Sequence, residues 1–221
     1  MSHPSPQRVV ASPLAARLAA ALVSAFLILL GLLHVVEPEF APSHRLISEY
    51  SLGPHGWLMR LAFFSLGGGV LALTAALRPA LARTPTAGLM VIGVALIGAG
   101  IFNTEPLTEP HVTPAHQIHR ACGALVILGF PIVATMVARG LARAPQWASA
   151  RGLVVGVTVL AWLGLVGFLG AVQVLGRPPE AAVGVPNRLM MIADSLWLVT
   201  VARSVISTAP RPDQNACSVC R

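Results

Sequence analysis

Residues 18–36 read LAAALVSAFLILLGLLHVV, a run without a single acidic or basic side chain other than His34. A bilayer core is about 30 Å thick, so a helix needs roughly 20 apolar residues to cross it. The run therefore predicts a transmembrane helix. It is longer than the apolar region of a signal peptide, which spans about 7–15 residues, and no small-residue cleavage motif follows it. We expect it to remain in the mature protein.

Five further runs of the same character follow, at residues 57–77, 88–102, 118–138, 152–175 and 189–206. Hydrophobic residues make up 55% of the 221 residues and charged residues only 10%, which is far more apolar than a soluble domain of this length. The third and sixth runs are short. We expect an all-α, polytopic membrane protein with a six-transmembrane-helix bundle over residues 14–207. The proline-containing segments 1–13 and 208–221 are expected to be disordered tails.

Arginine placement predicts the topology. The chain has no lysine, so its 15 basic residues are all arginine. In a six-span arrangement the following lie on the side of the termini: Arg8, Arg17, Arg78, Arg83, Arg139, Arg143, Arg151, Arg203, Arg211 and Arg221. Only Arg45, Arg60, Arg120, Arg177 and Arg188 lie on the other side. Because cytoplasmic loops are enriched in arginine, we expect both termini in the cytoplasm of a multi-pass protein of the inner or plasma membrane.

The net charge of +7 follows from this topology and requires no nucleic acid partner. Anionic lipid headgroups are the expected partners of the inner arginines. Cys217 and Cys220 form a C-x-x-C pair near the C-terminus. No strand–helix context or second pair accompanies them, so they predict an incidental or weakly metal-binding tail. The glycines at 67–69, together with Gly93, Gly98 and Gly100, predict close packing of the second and third spans.

The outer connections, residues 37–56 and 103–117, contain most of the histidines and acids. In the first of them, residues 43–53 predict a short interfacial helix with Ser43 as its N-cap and Gly53 as its end. His44 and Ser48 would then share a face of that helix. The concentrated polar chemistry of the protein is therefore expected at its outer, extracytoplasmic face.

His116 and His119 are three residues apart where the fourth span begins. This spacing places both rings on one helix face, about one turn apart, and is compatible with binding one divalent metal ion such as zinc. Arg120 follows His116 by four residues. Hydrogen bonds that hold the loop are the alternative role for these histidines.

In the sixth span, Asn187, Met191 and Asp194 share a face. An acid at this depth is costly to leave unpaired, so we expect Asp194 to face the bundle interior with a partner. Arg188, Arg120 or a histidine of the fourth helix are the candidates. A structural ion pair and a functional site are equally consistent with the pattern.

Two functions fit this polar set. The first is binding of a lipid or another small amphiphile, with arginines holding an anionic headgroup. The alternative is a metal-dependent, membrane-embedded hydrolase or transferase acting on lipid-like substrates, which needs at least three converging ligands. The candidate catalytic residues are His44, Ser48, Glu105 and Asp194. The candidate ligand-binding residues are Glu49, Arg120, Asn187 and Arg188. The candidate metal ligands are His116 and His119.

At these residues the chain resembles a family of bacterial and archaeal membrane proteins, domain of unknown function 998. The matching stretches are HRLISEYSLG at 44–53, GWLM at 56–59, GIFNTEP at 100–106, HQIH at 116–119 and NRL at 187–189. The chain has Glu105 where the family tends to aspartate and Asn187 where it tends to glutamine. The resemblance implies a six-helix membrane fold and supports the choice of Ser48, Glu105, His116, His119 and Arg188, but it implies no activity.

Overall fold

The computed structural model describes residues 12–106, 113–176 and 180–208. Six of its helices are long and apolar enough to cross a membrane, and the described residues contain no β-strand. The six helices are α1 (Pro13–Val36), α2 (Gly56–Leu77), α3 (Arg83–Ile101), α4 (Pro114–Ala142), α5 (Arg151–Leu175) and α6 (Gly184–Thr208). The prediction of an all-α, multi-pass membrane protein is confirmed. Residues 1–11 and 209–221, including Cys217 and Cys220, lie outside the described part.

Several helices extend beyond the apolar runs that predicted them. α4 begins at Pro114 rather than 118, with Thr113 as a side-chain N-cap and proline in its first turn. α3 begins at Arg83 rather than 88 and also has a proline, Pro85, near its start. Proline is favoured in the first turn of a helix because its missing N–H has no partner to lose there. Both helices therefore begin close to a proline rather than at the first residue of the apolar run.

The six helices form a closed ring. Each packs against the next in the chain, and α6 returns to pack against α1. α2 and α6 are the most buried and also contact each other across the ring. The ring has two ends, which we name by their connections. The polar end carries residues 37–55, 102–106 and 180–183, and the basic end carries residues 78–82 and 143–150.

Glycine allows the close approach of α2 and α3 that the sequence predicts. A Cβ at Gly67 would lie 2.9 Å from the carbonyl oxygen of Gly93, and a Cβ at Gly93 would lie 3.2 Å from that of Gly67. Gly69 lies in the same way against Val23 of α1. The backbones of α2 and α3 are therefore in direct contact, and a side chain at Gly67 or Gly93 would prevent this contact.

The predicted interfacial helix over residues 43–53 is shorter than expected. A 3₁₀ helix spans Ile47–Leu52 and ends at Gly53, as predicted. Ser43 is not its N-cap: its carbonyl oxygen accepts a hydrogen bond from the Gly184 N–H at 2.7 Å, and its hydroxyl bonds to the His44 ring at 2.8 Å. This contact with α6 holds residues 43–45 outside the helix. The prediction that His44 and Ser48 share a helix face is therefore wrong.

Candidate functional site

Arg188 lies in the first turns of α6 and is only 8% exposed. Its guanidinium donates to four acceptors. They are His34 Nε2 at 2.8 Å, the Arg45 carbonyl at 2.7 Å, the Gly184 carbonyl at 3.0 Å and the Tyr50 hydroxyl at 3.1 Å. None of these groups is a carboxylate. Arg188 thus joins α6 to α1 and to the 43–50 segment, and four of its five N–H donors are engaged within the protein.

The bond from Arg188 determines the tautomer of His34. An arginine N–H can only donate, so His34 Nε2 is the acceptor and its proton lies on Nδ1. Nδ1 in turn donates to the Leu30 carbonyl at 2.6 Å. The Tyr50 ring packs beside the imidazole, with centroids 5.3 Å apart. No local sequence pattern identifies His34, because its partner lies 154 residues away.

Asn187 and Glu49 hold the same segment in place. The Asn187 side-chain oxygen accepts from the Ile47 N–H at 3.1 Å. Glu49, 1% exposed, accepts from the Leu46 N–H at 2.8 Å and from the Arg45 guanidinium at 3.0 Å. Both were predicted to bind a ligand. In the structure, the Asn187 oxygen and the Glu49 carboxylate are occupied by bonds that position the 3₁₀ helix.

Glu37, immediately after α1, holds the end of the same segment. It is 1% exposed and accepts hydrogen bonds from the His55 backbone N–H and from His55 Nδ1, the latter at 3.1 Å. Its other oxygen, Oε2, has no partner among the described residues. Burial opposes ionisation, but the hydrogen bonds from His55 and the neighbouring Glu39 side chain together outweigh it and hold the pKa of Glu37 below its ordinary value of 4.5.

Glu105, Thr113 and His116 form a clamp at the start of α4. The Glu105 N–H donates to His116 Nδ1 at 2.9 Å. The Glu105 carboxylate accepts from the Thr113 hydroxyl and from the Thr113 N–H, and that hydroxyl caps α4 by accepting from the His116 N–H. The hydrogen bond from the Thr113 hydroxyl lowers the pKa of Glu105 against the opposing effect of burial. The clamp connects α3 to α4.

His119 is held differently. Its Nδ1 lies 3.1 Å from the Ala99 carbonyl oxygen and 2.9 Å from that of Phe102. Carbonyl oxygens only accept, so Nδ1 carries a proton, and in the neutral imidazole Nε2 is then the acceptor. A backbone carbonyl commonly orients histidines that bind metals in this way. The ring of His119 is thus held through Nδ1, while its Nε2 has no hydrogen-bond partner in the described part of the chain.

A cavity of about 80 Å³ lies beneath residues 46–48 and is lined by α2, α3, α4 and α6. Its polar lining comes from Ser48, His119 and Asn187. The apolar lining includes Phe63, Leu96, Ala99, Gly123, Val126 and Met191. The tertiary structure therefore brings together three of the predicted site residues, from three separate parts of the chain, around one recess.

The other predicted residues do not join this recess. Arg120 and His44 are exposed, and Glu105 and His116 belong to the clamp. Among the described residues no group of three or more His, Cys, Asp or Glu side chains is arranged to hold a metal ion. Within that part of the chain, His116 and His119 have no third ligand of these types. His111 and Glu109 lie outside the described residues.

Asp194 is buried in α6, two turns below Asn187, and only 5% exposed. Its Oδ1 has no hydrogen-bond partner in the described part of the chain. The ion pairs there are Arg45–Glu49 and His55–Glu37. The prediction that Arg188, Arg120 or a histidine of α4 pairs with Asp194 is therefore wrong. Arg188 is turned toward α1 and the 43–50 segment, and Arg120 is exposed.

A family model described as "Protein of unknown function (DUF998)" matches residues 14–204, from the start of α1 to the last turns of α6. Neither the curated proteins nor the solved structures contain a match to this chain. The matched region includes α2 to α5, nearly all of α1 and α6, and the residues that line the cavity. The chain belongs to the DUF998 family, whose function is not known.

Proposed function

We propose that the protein binds a small amphiphilic molecule in the cavity under the 3₁₀ helix, close to the extracytoplasmic face of a bacterial plasma membrane. The observation that carries this proposal is the composition of the cavity lining. Apolar side chains form most of it, and Ser48, His119 and Asn187 supply a few polar groups. Small-molecule sites in proteins are typically apolar recesses with a small number of converging polar groups.

The size of the cavity and the state of His119 define the ligand further. A recess of about 80 Å³ holds several water-sized groups, since one water needs roughly 10–15 Å³ of such volume. It accommodates a headgroup or a short chain rather than a whole phospholipid. Because His119 Nε2 is an acceptor, it favours a ligand that donates a hydrogen bond, such as an alcohol.

A photoreactive medium-chain alcohol tests the proposal in protein reconstituted into phosphatidylcholine nanodiscs. Crosslinked peptides from wild type should map to the cavity lining and be competed by the unlabelled alcohol. A Cβ at Gly123 meets no atom within 4 Å, so Gly123→Leu projects a side chain into the cavity and should abolish this crosslinking. Gly156 of α5 is equally open but does not line the cavity, so Gly156→Leu is the matched control.

Labelling that persists unchanged in Gly123→Leu would refute binding in the cavity. The methyl ether of the same alcohol provides a second comparison, because it cannot donate a hydrogen bond. It should compete about tenfold less well, which corresponds to one hydrogen bond of roughly 1.4 kcal/mol. Equal competition would show that the lone pair of His119 does not select the ligand.

A lipid-directed hydrolase or transferase is the second candidate, favoured by the tautomer of His119. The Nε2 lone pair is available as a general base, and Ser48 lines the same cavity. A metal-dependent version requires a third ligand beside His116 and His119. Metal analysis of purified wild type and of the His116→Ala, His119→Ala double variant tests this version. Stoichiometric metal that is lost in the variant would favour the hydrolase, and its absence from both proteins would contradict the metal site.

A further inference from the structure

At the basic end, a second cavity of about 370 Å³ lies between the α2–α3 connection and the last turns of α4. Its lining includes Arg139 and Arg143, which are one helical turn apart and both exposed. Leu81, Pro85 and Met136 form part of its apolar wall. This cavity is separate from the one near His119, at the opposite end of the bundle.

The two arginines have no carboxylate partner in the described part of the chain. The ion pairs found there involve neither of them. All described acids other than Asp194 lie at the polar end, namely Glu37, Glu39, Glu49, Glu105 and Glu180. The described basic end, in contrast, carries Arg78, Arg83 and Arg151 as further positive charges. The electrostatic potential in the cavity is therefore positive, and an anion is its complementary ligand.

The backbone adds donors of the same kind. Ala82 lines the cavity and precedes α3, and no side chain caps this helix. The first N–H groups of a helix have no partner within the helix, and they attract phosphate groups. Arg139 and Arg143 line the same cavity from the last turns of α4. Arginine binds phosphate oxygens through its fork of parallel donors.

The surroundings of the cavity favour a lipid over a soluble anion. Apolar side chains on the outer surfaces of α3 and α4 are exposed, among them Met90, Leu128 and Ile132. Acyl chains can pack along these surfaces while the headgroup occupies the cavity. A zwitterionic headgroup would bring an ammonium group next to the arginines without any described carboxylate to pair with it. We infer that the cavity binds the phosphate of an anionic phospholipid, such as phosphatidylglycerol.

Native mass spectrometry of the full-length protein, delipidated in a neutral detergent, tests this inference. Wild type should retain added phosphatidylglycerol at least about tenfold more tightly than phosphatidylcholine, since each arginine contributes roughly 1 kcal/mol to attraction of anionic lipid. The Arg139→Gln, Arg143→Gln double variant should lose that preference. The Arg17→Gln, Arg203→Gln double variant removes the same charge from exposed positions that do not line the cavity, and it should keep the preference.

If both double variants lose the preference for phosphatidylglycerol equally, the assignment of binding to the cavity is wrong. That result would indicate a diffuse effect of charge. Retention of the preference in the Arg139, Arg143 variant would also overturn it, provided that its thermal unfolding curve matches wild type. Inorganic phosphate and glycerol phosphate serve as competitors. If either binds more tightly than phosphatidylglycerol, the site selects a soluble anion and the lipid assignment is wrong.

Discussion

A buried arginine is costly in a membrane protein unless its donors are satisfied. Arg188 meets this requirement with the His34 ring nitrogen, two backbone carbonyls and the Tyr50 hydroxyl. Planar donor geometry is essential, because the four acceptors surround the guanidinium in different directions. The side chain therefore acts as a structural junction between α6, α1 and the segment that covers the cavity lined by His119.

Arg188→Lys should lower the free energy of unfolding by about 2–4 kcal/mol. A lysine keeps the charge but cannot satisfy the four acceptors, and each hydrogen bond to a charged group is worth roughly 1.5–3 kcal/mol. Denaturation of the detergent-purified protein measures the effect. Arg120→Lys is the matched control, because Arg120 is exposed, and a surface change of this kind costs less than about 0.5 kcal/mol. Equal stability of the two variants would contradict the role of Arg188.

Glu37 predicts a pH dependence of stability. Because its folded-state pKa lies below the ordinary value of 4.5, its contribution is present above that value and is lost as the pH falls through the lowered folded-state pKa. The melting temperature should therefore fall with acidification below about pH 4.5. Glu37→Gln should have a lower melting temperature than wild type at neutral pH. Its melting temperature should also fall less than that of wild type on acidification. Thermal melts of both proteins between neutral and acidic pH check this, and parallel curves would contradict it.

At the scale of elements, the covering segment depends on a glycine at the start of α6. A Cβ at Gly184 would clash with the carbonyl oxygens of Pro42 and Arg45, lying 2.7 Å from the latter. The Gly184 N–H also donates to the Ser43 carbonyl. Backbone therefore packs directly on backbone, and this contact stops the 3₁₀ helix from extending back to Ser43.

Gly184→Ala should destabilise the protein, by about 1–3 kcal/mol, since the added methyl group meets rigid backbone rather than a flexible side chain. Gly156→Ala is the control: a Cβ there meets nothing within 4 Å. Replacing a glycine inside a helix by alanine stabilises by roughly 0.5–1 kcal/mol where space allows. Opposite shifts in melting temperature are the expected result. A stabilised Gly184→Ala variant would show that the segment does not pack on α6 as described.

At the scale of the whole molecule, charge divides the ring into two unlike ends. The described acids cluster at the polar end and most described arginines at the basic end. The cytoplasmic preference of arginine predicts that the basic end faces the cytoplasm. The cavity lined by His119 would then lie toward the extracytoplasmic side and the cavity lined by Arg139 and Arg143 toward the cytoplasmic side.

A membrane-impermeant maleimide applied to intact spheroplasts tests this orientation. Cys217 and Cys220 should react only after permeabilisation. Glu39 is exposed at the polar end, so Glu39→Cys combined with Cys217→Ser and Cys220→Ser should react in intact cells. The Cys217→Ser, Cys220→Ser parent measures any labelling of Cys122. The reverse pattern would place the termini outside.

The sequence alone predicted the six helices, since a bilayer selects for long apolar runs and each run carries its own signal. It also predicted that Ser48, His119 and Asn187 belong to a polar set at one end. It failed for Asp194, where the cost of an unpaired acid suggested a partner that the structure does not provide. The prediction of Ser43 as an N-cap was also wrong. Capping preference depends on neighbouring residues, whereas Ser43 is held by Gly184, which is distant in the sequence.

The length of an apolar run, the placement of arginines and the helix caps each depend on residues that are close together in the chain. The sequence by itself therefore determined the helices, their number and the concentration of polar residues in certain connections. Only the tertiary structure decided which polar residues work together. Arg188 binds His34 across 154 positions, and the cavity lined by His119 arises where α2, α3, α4 and α6 meet under residues 46–48. These outcomes depend on which helix faces pack together, and no local pattern in the chain encodes that choice.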